Sequence, residues 1–160
     1  GTLLATAGSI VEVPHFQHLL KCGESLSNVQ LFPIHFLTPT TFKQDKRYVI
    51  FPQESLILHS LITRWNVSFP EALMDDEDAF QALLRGIHIV DYNLHTTRYP
   101  MKQVRLPAFQ GRISIETRLP APMMALWTTL YSFAPYAGIG VKTTLGMGGV
   151  SMMKASNLPV

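Results

Sequence analysis

The sequence predicts an α+β fold, and three observations carry that expectation. Apolar residues recur at a spacing of two in some segments and of three to four in others, so strands and helices interleave. The segments come in the order strand, helix, strand, strand, helix or helices, strand, strand, helix, strand. That order fits a βαββαβ, ferredoxin-like (RRM-like) plan with an inserted β-hairpin. Of the 160 residues, 47% are hydrophobic and 15% charged, and the mean hydropathy is +0.16. Such a composition excludes a disordered tail and suffices for one domain with a real core. An antiparallel sheet with its helices on one face leaves the other face free to bind something.

The elements follow in order. Leu3–Val13 is apolar with small residues, a candidate strand. Phe16, Leu19 and Leu20 set a helix over Phe16–Cys22 that Gly23 can stop. Val29–Leu37 reads as a strand on Leu31, Ile34 and Phe36, although Pro33 weakens a central place in a sheet. Thr38–Phe42 turns the chain, Gln44-Asp45-Lys46 is a polar loop, and Tyr48–Phe51 is a short strand. Pro52 suits a helix start, because its missing N–H would be unpaired there anyway. Leu58, Leu61, Ile62 and Trp65 give that helix its apolar stripe. Ser68 and Glu71 form an S-x-x-E capping box for the next helix. This helix turns Leu73, Phe80, Leu83 and Leu84 inward and leaves Asp75-Asp76-Glu77-Asp78 as a solvated face near the positive end of its dipole. Ile87–Tyr99 is a long β-like run whose alternation changes phase between Ile89 and Val90, implying a bulge. Gly111–Arg118 alternates cleanly, with Ile113, Ile115 and Thr117 on one face and Arg112, Ser114, Glu116 and Arg118 on the other. Pro122 opens the last helix, Leu126, Trp127, Leu130 and Tyr131 form its core stripe, and Pro135 ends or kinks it. A glycine loop, Gly138–Gly149, leads to a closing strand at Val150–Met153.

The net charge of +2 hides an asymmetry. Residues 1–91 carry six bases and ten acids, a net −4. Residues 92–160 carry seven bases (Arg98, Lys102, Arg105, Arg112, Arg118, Lys142, Lys154) and one acid, Glu116, a net +6. A basic half points to an anionic partner, nucleic acid first; a scattered solvated surface is the plain alternative. The single cysteine, Cys22, excludes an internal disulfide framework and a Cys-based zinc cluster and fits a reducing cytoplasm. No run of about 18 apolar residues marks a transmembrane helix, and no charged-then-apolar leader marks a signal peptide. The chain begins at Gly1 and enters an apolar run at once, so a piece of a longer protein is expected.

The loop has the pattern G-x-G-x5-G-x-G on Gly138, Gly140, Gly146 and Gly148. Glycines permit positive φ and close backbone approach, and exposed loop amides beside Lys142 and Thr143 would cradle a phosphate. Lys142-Thr143 does not end a nucleotide-binding P-loop. Val141 stands where that motif needs glycine, and the loop runs from helix to strand rather than from strand to helix. The dinucleotide fingerprint fails on the same ground. Two readings remain, a packing loop between helix and sheet and a site for an RNA backbone.

Gly138–Gly148 resembles the C-terminal glycine-rich loop of the CRISPR-associated repeat-cleaving endoribonucleases of the RAMP superfamily. There, glycine–hydrophobic–glycine is followed by five residues, often one of them basic, and glycine–hydrophobic–glycine again. Ile139 and Met147 fill the hydrophobic places and Lys142 the basic one. Phe133-Ala134-Pro135-Tyr136-Ala137 resembles the helix end before that loop. Phe36-Leu37-Thr38-Pro39-Thr40-Thr41-Phe42, Phe51-Pro52, Ser60-Leu61 and Arg64-Trp65-Asn66 resemble further family segments, in order. Phe109-x-Gly111 is similar to part of an F-x-G-x-x-G strand motif, with Ser114 at the last glycine. The resemblance spans roughly residues 3–153. It implies that residues 1–160 are one ferredoxin-like domain, the RNA-binding C-terminal half of a two-domain enzyme that cuts CRISPR precursor RNA at its repeats. It implies cleavage without metal or cofactor, by attack of a ribose 2′-OH on the adjacent phosphate, with positioned side chains as acid and base. The family's catalytic histidine usually sits in the N-terminal domain, so this chain is expected to lack it. The implied partners are CRISPR repeat RNA, other CRISPR-associated proteins and the N-terminal domain of the same protein, in a prokaryotic cytoplasm and away from membranes.

The expected RNA contacts are Gly138, Gly140, Lys142, Thr143, Gly146 and Gly148 of the loop, helped by bases on the strands. Arg112 and Arg118 share a strand face about 20 Å apart, enough to track several phosphates. Arg98, Lys102 and Arg105 flank them on the inserted hairpin. Tyr92, Tyr99 and Phe109 would stack on unpaired bases or belong to the core. His15 and His18 read as surface residues, since two ligands do not make a metal site. His35, His59 and His88 read as satisfied, partly buried side chains, and His95 is the histidine best placed to touch RNA. Met123, Met124, Met147, Met152 and Met153 read as core filler. Two other functions stay open on the same fold: a non-catalytic scaffold subunit of an RNA-guided complex, and a small-molecule enzyme that uses a histidine with an acid.

Overall fold

Phe32, Ile34 and Phe36 occupy every second position of one strand, and the core grows on the face they share. The structure is a computed structural model that describes residues 2–6 and 9–152, with the backbone alone over 2–6 and 9–11. The chain runs β1 (Thr2–Thr6), β2 (Ser9–Val13), α1 (Phe16–Glu24), β3 (Leu31–Thr40), β4 (Phe42–Gln44), β5 (Arg47–Val49), α2 (Glu54–Ser68), α3 (Glu77–Gly86), β6 (Ile87–Met101), β7 (Val104–Thr117), α4 (Ala121–Ala137) and β8 (Val150–Ser151). Short 3-10 turns cover Pro70–Ala72 and Thr143–Leu145.

The main sheet has the order β6-β7-β3-β8 and is antiparallel throughout. Its βαββαβ unit is β3, α2 with α3, β6, β7, α4 and β8, with the first and third strands of that plan in the middle. This is the ferredoxin-like α+β class that the order of segments predicts. The unit begins at Leu31, not in the first apolar run. What reads as one strand over Leu3–Val13 is a hairpin, β1 pairing with β2 from Thr2↔Val13 to Thr6↔Ser9.

Register explains which face is covered. Ile113 pairs with Ile34 and Ile115 with Phe32, so these side chains stand on one side of the sheet. There they meet Leu19 of α1, Ile57, Leu58, Leu61 and Trp65 of α2, and Trp127, Leu130 and Phe133 of α4. The opposite face carries His35, Arg112 and Asn93 in one cross-strand row. Pro33 holds a central place without breaking the sheet. Leu37 donates its N–H to Gly149 at 2.8 Å, so alternate residues of β3 turn their backbone groups toward β8. Pro33 belongs to that set, beyond the end of the two-residue β8, and its carbonyl accepts the buried Tyr131 hydroxyl at 2.5 Å. No ladder N–H is lost.

Several boundaries differ from the expectation. Thr38–Phe42 is no simple turn: β3 runs to Thr40 with a register shift between Phe36 and Thr40, and β4 starts at Phe42. Asp45 and Lys46 both have positive φ, 50° and 66°, the mirror-image turn that joins β4 to β5. This hairpin is the inserted one. The segment around Arg98–Arg105 is instead the distal half of a continuous hairpin, paired from Ile87↔Thr117 to Met101↔Val104. The expected bulge is present, a register shift between Ile89 and Asp91. The Ser68–Glu71 box does not form, because α2 continues through Ser68 and Phe69 N–H closes on Trp65. Asp76 caps α3 instead, accepting from the amides of Asp78 and Ala79 at 2.9 and 3.2 Å. Helix α4 runs through Pro135 to Ala137 before Gly138 ends it at φ 74°. Met153 and Lys154 lie outside the described residues.

A candidate nucleic-acid interface

The glycine loop is bonded to three other elements. Gly140 is held on both sides by α2: its N–H donates to Ser60 Oγ at 2.9 Å, and its carbonyl accepts from Arg64 Nη2. A Cβ at Gly140 would stand 2.4 Å from the Thr41 carbonyl, and its φ is 92°. Val141 donates to that same Thr41 oxygen at 3.0 Å. Ile139 donates to Gly148 at 2.9 Å, and Gly148 donates to Pro39 at 3.0 Å. A Cβ at Gly148 would lie 2.1 Å from the Ile139 carbonyl. Gly149 donates to Thr38 Oγ1 at 2.8 Å. The amides of Leu145, Gly146 and Met147 close back on the carbonyls of Lys142 and Thr143. The loop therefore spends most of its amides on its own shape.

Three remain. The amides of Lys142, Thr143 and Thr144 make no hydrogen bond to any described residue. They follow one another at the start of the 3-10 turn, with Lys142 left-handed at φ 58°, ψ 35°. Successive amides in such a turn form an anion-binding concavity. Thr143 is buried inside the turn, while Thr144 and Leu145 are exposed.

The distal β6–β7 hairpin comes to this loop. Tyr99 donates its hydroxyl to the Leu145 carbonyl, and Leu106, Ala108 and Met147 form a second small cluster with Tyr48, Tyr99 and Met101. Arg98, Lys102 and Arg105 are exposed on this arm. Arg98 pairs with Pro107 and Arg105 with Pro100, which places both arginines on one face. Arg112 faces the other way, since it lies an odd number of positions along β7 from Arg105. Its guanidinium meets Asp91 at 3.3 Å. Arg118 lies one residue past β7 and meets Glu116 at 3.3 Å. The expected Arg112–Arg118 row is thus offset by local carboxylates, whereas Arg98, Lys102, Arg105 and Lys142 have no ion-pair partner among the described residues.

Lys43, Lys46 and Arg47 were hidden by their position in the acidic half of the sequence. They stand exposed on the β4–β5 hairpin, which joins the second cluster through Tyr48. Lys43 Nζ sits 5.4 Å from the centre of the Tyr48 ring. The signal that could have found them is the pair of short β runs around Asp45-Lys46.

The histidines divide. His15 and His18 are exposed, as expected; His15 Nδ1 caps α1 through the Gln17 amide at 3.2 Å, and His18 Nε2 lies 3.5 Å from Cys22 Sγ. His35 is half-buried, but His59 and His88 are exposed rather than partly buried. His95 is exposed on β6. Phe109 belongs to the core, Tyr92 is exposed against Phe51, and Tyr99 holds the loop. Among the described residues, no group of three or more His, Cys, Asp or Glu could hold a metal ion, and no helix is long and apolar enough to cross a membrane.

Comparison with known proteins gives one consistent result. Residues 34–150 match the family model described as CRISPR-associated endoribonuclease Cas6. A curated protein of that name from Streptococcus thermophilus is 34% identical over 134 residues, covering 84% of this chain and 55% of its own length. The chain thus spans about half the length of that relative. The fold is similar to Thermus thermophilus Cas6, with a TM-score of 0.72, 23% identity, and coverage of 88% of this chain and 58% of that one. It is also similar to a Cas6 solved as a product complex, with a TM-score of 0.74, 22% identity, and coverage of 91% and 62%.

Proposed function

The chain belongs to the family of the CRISPR-associated endoribonuclease Cas6, and we propose that it is the RNA-binding, C-terminal domain of an enzyme that processes CRISPR precursor RNA. The observation that carries this reading is the loop tip. The amides of Lys142, Thr143 and Thr144 follow one another with no hydrogen-bond partner among the described residues, and the Lys142 side chain has no ion-pair partner among them, beside a hairpin arm that exposes Arg98, Lys102 and Arg105. Phosphate is the anion that amide nests and flexible cations bind together. Gly138, Gly140, Gly146 and Gly148 serve RNA by shaping the loop, Thr143 by filling the turn from inside, and Arg112 and Arg118 as weaker, partly offset charges. Repeat RNA is the substrate in this reading, and CRISPR-associated proteins are the protein partners. The 2′-OH gives up its proton as it attacks the phosphorus, the bond to the 5′ oxygen breaks, and that oxygen takes a proton. The histidine for those transfers belongs to the N-terminal domain.

Lys142→Ala tests the placement. It is expected to weaken binding of a repeat-derived RNA about tenfold, roughly 1.4 kcal/mol, with an unchanged circular dichroism melt. RNA affinity that ignores both Lys142 and salt would overturn the site.

A further inference from the structure

Behind the loop lies a cavity of about 370 Å³, lined by one face of α2, the start of β4 and Gly140-Val141. Pockets that hold small ligands begin at about 300 Å³. Its polar lining is Lys43, His59, Ser60, Thr63 and Arg64, and no carboxylate lines it. Phe42, Leu56 and Val141 give it an apolar wall.

Arg64 makes the cavity more than a crevice. A guanidinium carries five N–H donors, and one of Arg64's goes to the Gly140 carbonyl. Its Nε is buried with no partner, and no carboxylate of the described residues pairs with it. Burial holds its pKa below the ordinary arginine value. A half-buried cation without a counter-charge is costly, and an anion in the cavity would relieve it. Lys43, exposed at the rim, adds a second cation. Apolar side chains together with two cations suit a ligand with a flat, weakly polar body and one anionic group.

We propose that this cavity takes one unstacked nucleotide, its phosphate on Arg64 and Lys43 and its base against Phe42, Leu56 and Val141. RNA proteins read single-stranded segments by splaying out bases in this manner. The proposal rests on the RNA-binding reading for the source of the nucleotide. Gly140-Val141 lines the cavity and Lys142–Thr144 carries the free amides, so a strand whose backbone lies on the loop tip places a neighbouring nucleotide at the cavity mouth.

The test uses the 160-residue chain with adenosine and uridine 5′-monophosphate as probes, followed by amide NMR shifts. Saturable shifts at Ser60, Thr63 and Val141 are expected. Thr63→Trp should fill the cavity from the exposed side of α2, leave the Arg64–Gly140 bond intact and weaken the mononucleotide at least about tenfold. Arg64→Met should do the same, with its effect on the loop read from the Gly140 amide. Shifts absent at millimolar nucleotide, or undiminished in Thr63→Trp with its fold intact, overturn the proposal. Inorganic phosphate binding as tightly as either nucleotide overturns the role of the apolar wall. Lys142→Ala separates the two sites: it should weaken RNA binding about tenfold and leave the mononucleotide affinity unchanged. A variant that keeps both overturns the loop reading and leaves the cavity standing.

Discussion

Tyr131 shows what one hydroxyl does in this core. The ring packs edge-on to Phe32 at 4.9 Å, and the hydroxyl satisfies the Pro33 carbonyl that no strand reaches. Burial raises its pKa well above the usual tyrosine range. The folded state therefore holds the proton more tightly than the unfolded chain. The associated stability is fully present below about pH 10, the ordinary tyrosine value, and is lost as pH rises beyond it. Tyr131→Phe is expected to cost about 1–2 kcal/mol at neutral pH by stranding the carbonyl. It should also flatten the alkaline fall in stability; urea midpoints measured from about pH 8 to 11 check both. Tyr131 was legible as a core position from its helical spacing. Its bond to Pro33 was not, because the two are far apart in sequence and the proline itself argued against a central strand.

At the scale of elements, the glycine loop was legible as a pattern but not as a structure. The G-x-G-x5-G-x-G spacing marks where positive φ is needed, and Gly138, Gly140, Gly146 and Gly148 all have it. The spacing cannot say that most amides turn inward, since their acceptors, Thr41, Pro39 and Ser60, lie in segments read as turn and helix. Gly148→Ala should therefore destabilise the domain by about 1–3 kcal/mol, from strain at φ 73° and the clash with Ile139. Lys142→Ala should leave the same melting curve in place; equal losses in both variants would remove the distinction between frame and tip. The junction of α2 and α3 failed for a different reason. Ser68-x-x-Glu71 matches a capping box, but Trp65, Phe69 and Phe133 pack together and extend α2 through Ser68. Burial outweighed a local motif, and the cap moved to Asp76.

For the whole molecule, the order of segments announced the ferredoxin-like plan, while the division of charge by sequence halves did not survive folding. Lys43, Lys46 and Arg47 come from the acidic half, yet their hairpin packs with the β6–β7 arm and the glycine loop. Replacing Arg98, Lys102 and Arg105 together by alanine should lower the slope of log affinity against log salt by about two, near 0.7 for each phosphate contact on a single strand. An unchanged slope, measured by RNA titration at several ionic strengths, would remove the arm from the interface. The sheet order also bears on synthesis. β3 sits in the centre, yet both of its neighbours, β7 and β8, follow it by more than sixty residues. A ribosome therefore releases the middle strand first, with both edges bare, and the ladder closes only when Gly149 and Val150 emerge to meet Leu37 and Phe36. Such distant pairing folds slowly and leaves a sticky apolar strand waiting. The domain's most vulnerable interval is the time between making Leu31–Thr40 and making its last two-residue strand.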